Sequence, residues 1–224
     1  MSSAGRFTVA RRRGNAADLH ADLQGGDLQI AVPSATWLEV DHPALVLGSA
    51  QPMAQIDLEA CGAAGVDVVR RRSGGGAVYL VPGEMLWLDI VVPAGDPLWQ
   101  DDIGRAMWWL GEVWVEALAA CGEAQAEVYR GPIRHTAWSR HVCFDGLGSG
   151  EVTIGTRKLV GISQRRTRSW ARLQSSAHLA WRGAEMTALF APPAPDEASI
   201  AVPAVLDVPA AALRAAMSAA LSSR

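Results

Sequence analysis

The chain has 224 residues, half of them apolar, with 20 basic and 23 acidic side chains and a net charge of −3 at neutral pH. That length supports one large domain with a buried core, or one domain and a small appendage. The near balance of charge excludes a global basic footprint for nucleic acid or an anionic membrane; no apolar run reaches bilayer length and no signal-peptide core opens the chain, so a cytoplasmic protein is expected.

Taken in order, residues 1–26 are polar and weakly patterned, with a short helix possible over Asn15–Leu23 capped by Asn15. "LQIAV", "TWLEV" and "ALVLGS" follow as strand candidates. "DLEACGAAG" predicts a helix ending at Gly65. "VDVVRR" and "AVYLV" are strands on either side of a glycine run, and "EMLWLDIVVP" is a strand stopped by Pro93. Gln100–Gly122 carries apolar residues at helical spacing, among them Ile103, Met107, Leu110, Val113, Trp114 and Leu118, with Asp101 and Asp102 at its start. "AEVYR", "HTAWSRHVCF", "GEVTIGTRKLVGIS" and "SWARLQSSAHLA" predict further strands, and "AAALRAAMSAALSS" a final helix beyond a proline-rich stretch. Adjacent strands without an intervening helix argue for an α+β fold with a mixed central sheet flanked by helices. The expected organisation is a weakly structured segment over 1–26, a catalytic domain over 27–190, and a linker with a C-terminal helix over 191–224.

Three segments carry chemistry. In "RRRSGGGAVYLVPG" (Arg70–Gly83), arginines precede three glycines. Such a loop offers backbone N–H groups and guanidinium forks to an anionic head, or is a charged hairpin and nothing more. It is not a P-loop, whose GxxxxGK[ST] pattern is absent. In "GTRKLVGIS", Lys158 inside an apolar strand must pair with an anion, titrate down and act as a base, or face solvent. In "SRHVCFDG", Cys143 follows His135 and His141 and is either a nucleophile or a buried structural thiol. Cys61 and Cys121 fall in predicted helices, and no cysteine spacing matches a disulfide framework or a zinc site.

"PALVLGSAQ", "RRRSGGGAVYLVPG" and "GTRKLVGISQRR", in that order, resemble the catalytic domain of the lipoate–protein ligase A family, which shares a superfamily with biotin–protein ligases and octanoyltransferases. The resemblance runs from about Ala35 to Leu179 and implies the biotin/lipoate ligase catalytic fold. It implies substrate contacts at Arg70, Arg71, Ser73, Gly74, Gly75, Gly76, Ala77, Gly161 and Ser163, with the arginines facing anionic oxygens and the glycines lying against the ligand. Lys158 falls on the family's lysine. The leading reading is an ATP- and magnesium-dependent ligase that adenylates lipoate or octanoate and attaches it to a lysine of a lipoyl carrier domain. The alternative is an octanoyltransferase in which Cys143, in a "CFD" segment, takes the acyl group from an acyl carrier protein without ATP. A third reading is a non-catalytic acyl-binding protein. Leu80 stands where the family usually has histidine, and no full accessory domain is recognised after the catalytic one, which fits a transferase, a two-protein ligase with a separate accessory protein, or a catalytic domain with altered chemistry.

Overall fold

A computed structural model describes residues 6–21 and 31–224 of the chain. Strands β2 (Ser34–Val40), β6 (Met85–Pro93), β10 (Trp170–His178), β9 (Arg157–Arg166), β8 (Val152–Ile154) and β7 (Ala126–Val128) run side by side in that order. Each pairs antiparallel with its neighbour. β1 (Thr8–Gly14) extends this large sheet to seven strands by pairing parallel to β2. A second, three-stranded sheet has β3 (Ala44–Leu47) at its centre, parallel to β4 (Asp67–Arg70) and antiparallel to β5 (Val78–Leu80).

Alternation along the strands sorts the side chains into layers. Leu86, Leu88, Ile90 and Val92 of β6, with Leu173 and Ala177 of β10, face helices α3 (Trp108–Ala120) and α5 (Ala210–Ser222) and form the larger core. The opposite face carries Trp87 and Asp89 of β6, Gln174 and Ser176 of β10, and Gly161 and Ser163 of β9. These lie in register, Trp87 opposite Ser176 opposite Gly161, and Asp89 opposite Gln174 opposite Ser163. The small sheet lies over that face with Val46, Val78 and Leu80, and helix α1 (Ala16–His20) packs beside it. Beyond the small sheet, Leu45, Leu47 and Tyr79 pack on helices α2 (Leu58–Ala63) and α4 (Gly183–Thr187) and their flanks. The space between the two sheets holds the candidate site.

Several expectations are corrected. Residues 6–21 are not weakly structured: they form β1 and α1, with Asn15 Oδ1 accepting from Asp18 N at 2.9 Å as the helix cap. Of "LQIAV", Leu28 to Ile30 lie outside the described residues, as does the 26/27 boundary. The long helix starts at Trp108 instead of Gln100. Asp102 Oδ1 accepts from Gly104 N at 2.8 Å, a local side-chain bond that favours turns, and Ile103 is exposed instead of joining the apolar stripe. "HTAWSRHVCF" is no strand: Thr136 N donates to Ser139 Oγ and Ser139 N to Thr136 Oγ1, at 3.1 and 3.0 Å, and Cys143–Asp145 is a single 3-10 turn. The central sheet is accompanied by a separate small one, so "VDVVRR" and "AVYLV" flank β3 and do not pair with each other.

Candidate functional site

Because β4 and β5 lie on opposite sides of β3, the loop from Arg71 to Ala77 crosses over the end of that strand. It crosses in backbone contact. A Cβ on Gly48, just after β3, would stand 1.8 Å from Gly75 O, so no side chain fits there. Gly75 has φ +97°, which favours glycine. A Cβ on Gly76 would meet backbone atoms of His141 and Val142 at 2.8 Å. Ala77 N then donates to His141 O at 2.6 Å, and Cys143 N donates back to Ala77 O at 2.9 Å. Gly75 and Gly76 therefore press the loop onto its own neighbours and seat Cys143; only Gly74 has open space around it. Ala77 is buried in the layer behind the small sheet and acts through its backbone.

The two arginines differ in exposure: Arg71 is buried among backbone carbonyls, while Arg70 is exposed. Arg71 is 4% exposed and donates to Val46 O, Gly74 O and Gly76 O at 3.0, 2.7 and 2.9 Å, and through Nε to Ser73 Oγ at 3.1 Å. Arg70 Nη1 donates to Gly48 O, Ser49 O and Gln51 O. Both guanidiniums are engaged with backbone carbonyls of β3 and the loops that follow it. Arg71 keeps one outward contact, with Nη2 3.9 Å from Cys143 Sγ, which sets a cation beside the thiol.

Lys158 points inward from β9 and is buried. Its Nζ forms an ion pair with Glu151 Oε1 at 2.7 Å and donates to Cys143 O at 3.0 Å and Gly146 O at 3.3 Å. Three partners use its three donors. Burial pulls the Lys158 pKa down, but the Glu151 charge outweighs it, together with Cys143 and the Glu151 hydrogen bond, and the net shift is upward. The depressed pKa needed for a free base is not what this environment gives. Glu151, 4% exposed, also accepts from Ile162 N at 3.1 Å and Gly148 N at 2.6 Å. Sequence reasoning missed it; the available signal was a lone acid at the start of β8 that the β8–β9 hairpin brings to Lys158.

The remaining candidates gather around the thiol. Ser163 Oγ donates to Ser73 Oγ at 3.0 Å, and Ser73 Oγ lies 3.4 Å from Gln174 Oε1. A Cβ on Gly161 would press on Lys158 Cε at 3.1 Å and Phe144 at 3.2 Å. His135 lines the open side of the site. His141 instead packs against Trp138 and Phe190 behind the small sheet, and burial lowers its pKa. Leu80 adds apolar wall between the sheets.

Cys143 stands where two spaces meet. On one side is a mostly apolar cavity between the sheets, walled by Val46, Val78, Leu80, Trp87 and Phe144, among others. On the other is an open groove of about 810 Å³, bordered by Gly74 to Gly76, Arg134, His135, Lys158 and Ser163. The arrangement suits an apolar group in the cavity with a reacting atom at the sulfur, reached from solvent along the groove. Among the described residues, no group of three or more His, Cys, Asp or Glu side chains is placed to hold a metal ion, and no helix is long and apolar enough to cross a membrane.

Comparison with known proteins identifies the family and the fold. A family model described as the lipoyl protein ligase A/B catalytic domain matches residues 28–223. The octanoyltransferase LipM of Clostridioides difficile is 30% identical over 112 residues, which is 50% of this chain and 41% of that protein, so the match spans less than half of that relative. A solved lipoate-protein ligase A bound with ATP superposes with TM-score 0.70 at 18% identity, covering 98% of this chain and 84% of its own. A bi-partite lipoate protein ligase from Thermoplasma acidophilum, described with its E2 lipoyl domain, gives TM-score 0.67 at 18% identity, covering 98% and 82%. At such identities the two structures show a shared fold.

Proposed function

Since the chain belongs to the lipoyl protein ligase A/B catalytic-domain family, we propose that within it the protein works as an octanoyltransferase, moving an acyl group from a thioester donor to a lysine of a lipoyl carrier domain through Cys143. The observation that carries this reading is the position of Cys143 at the junction of an apolar cavity and an open groove, beside the Arg71 guanidinium. The guanidinium stands 3.9 Å from the sulfur that would attack, on the side of the glycine loop.

In the first step the sulfur attacks the carbonyl of an octanoyl thioester on an acyl carrier protein. The new S–C bond replaces the donor's, and the Cys143 proton ends on the departing thiol. In the second, the carrier lysine's amine attacks the Cys143 thioester. An amide forms, the S–C bond breaks, and a proton from the amine returns to sulfur. Neither step needs ATP. Lys158 contributes as a fixed ammonium that holds the carbonyls of Cys143 and Gly146 and keeps the turn in place.

The ligase reading has the shared fold of the ATP-bound lipoate-protein ligase A in its favour. It requires Lys158 to reach a carboxylate or adenylate phosphate, with ATP and magnesium supplied. The Glu151 pair and two carbonyls already engage that ammonium, which supports the transferase over the ligase. An accessory protein belongs only to the ligase reading. The test is incubation with octanoyl-loaded acyl carrier protein followed by intact-mass measurement of the enzyme. An octanoyl adduct lost in Cys143→Ser is expected; transfer that survives this substitution at full rate excludes the cysteine mechanism.

A further inference from the structure

The cavity beside Cys143 has a definite far end. From Gly161, which shares its lining with Cys143, the floor crosses β9, β10 and β6 to Trp87. Two inter-strand steps span about 10 Å. An extended eight-carbon chain with staggered bonds is about 9 Å long. At Trp87 the path meets the imidazole of His20, stacked on the indole with ring centroids 4.4 Å apart and 30° between planes.

His20 belongs to two spaces at once. It lines the cavity, and it also lines a separate groove on the far side with Ala17, Val68, Val69, Arg70 and Arg72. His20 is the residue the two spaces share. It is also held in place. Arg172 donates to Leu19 O at 2.8 Å, Ala21 O at 3.1 Å and His20 O at 3.4 Å, so the end of α1 is tied to the large sheet. Arg172 is itself anchored by Nε donating to Asp89 Oδ2 at 2.6 Å. His20 Nδ1 lies 3.4 Å from Gln174 Nε2. Burial, with the charges of Arg71 and Arg172, lowers the His20 pKa to about 3, so the ring there is neutral.

We infer that His20 is the end wall of the acyl cavity and sets the longest straight chain that Cys143 accepts, at about eight carbons. The inference rests on the reading of Cys143 as an acyl carrier, and it adds a specificity residue from an element far from the glycine loop in sequence. Removing the ring joins the cavity to the groove beyond, whose nearest wall is the half-buried pair Val68 and Val69, a surface that further methylenes can cover.

The test presents octanoyl-, decanoyl- and dodecanoyl-loaded acyl carrier protein to the wild type and to His20→Ala, and reads the adduct on Cys143 by intact mass. The wild type should favour octanoyl over dodecanoyl by about tenfold or more, since each excess methylene meets a closed wall. His20→Ala should bring the two within a factor of about three as that penalty is lifted. His20→Phe, with a ring of similar size against Trp87, should restore the cutoff; His20→Val serves if the alanine variant does not fold. Wild-type adducts with an unchanged length profile in the folded variants overturn the inference. If no chain forms an adduct, the thioester reading fails, and free octanoate and dodecanoate, read by the shift in Tm, still test the wall. A preference for octanoate that relaxes in His20→Ala supports it, and one that does not overturns it.

Discussion

Glu151 and Lys158 form a buried ion pair that joins three chain segments: the turn at Cys143, the Gly148 loop and strand β9. Removing one partner strands the other's charge away from water. Glu151→Gln should therefore cost about 3–5 kcal/mol of stability, whereas Glu151→Leu combined with Lys158→Met should cost much less. Urea unfolding of the three proteins measures this, and equal losses for the single and double variants would contradict the pairing. Lys158 was legible as a residue that needed an explanation, since an apolar strand does not hold a lone cation. Its partner was not, because Glu151 is seven positions away in sequence and meets it only through the β8–β9 hairpin. The histidines upstream of Cys143 showed the converse. Nearness in sequence suggested a base, yet His141 turns into the opposite layer and an arginine from the glycine loop takes the place beside the sulfur.

At the scale of elements, the glycine loop acts by close packing. Gly76 leaves no room for a methyl group against the segment that carries Cys143, while Gly74 does. Gly76→Ala should cost about 1–3 kcal/mol, and displacing the thiol by about 1 Å should cut acyl transfer on the order of a hundredfold. Gly74→Ala should leave stability within about 0.5 kcal/mol. Thermal unfolding and adduct formation on Cys143 measure both; equal behaviour of the two variants would contradict the packing account. The loop itself was plain in the sequence, because glycines and a following apolar run mark a turn into a strand. What it packs against was not, since contact with Gly48 and with residues 141–143 arises only when β3 lies between β4 and β5. The irregular run before Cys143 was hidden for a related reason. Its β-favouring residues are overruled by reciprocal side-chain bonds between Thr136 and Ser139. β1 gave no periodic signal at all, since nearly every residue in it is exposed.

For the whole molecule, two sheets and their helices enclose neutral histidines on the polar face of the large sheet. Burial, aided at His178 by the Lys158 charge and at His20 by Arg71 and Arg172, lowers each pKa from 6.5 to about 3. The unfolded chain takes up these protons near pH 6.5 and the folded chain only near 3, so the unfolded state binds more protons in between. Stability should then fall as pH drops below about 6.5, by up to about 1.4 kcal/mol per pH unit for each histidine. Unfolding midpoints at a series of pH values from about 7 to 5 measure the slope, and His178→Phe should reduce it. An unchanged slope would show that His178 is protonated in the fold.

The central claim is that acyl transfer passes through Cys143 without ATP. Its most direct measurement is the intact mass of a lipoyl carrier domain after incubation with this protein, in one tube with octanoyl-loaded acyl carrier protein alone and in another with lipoate, ATP and magnesium. A gain of one octanoyl group is expected in the first tube, with a matching transient adduct on the enzyme that Cys143→Ser removes. A gain in the second tube alone, undiminished in Cys143→Ser, would contradict it and make the protein an adenylating ligase.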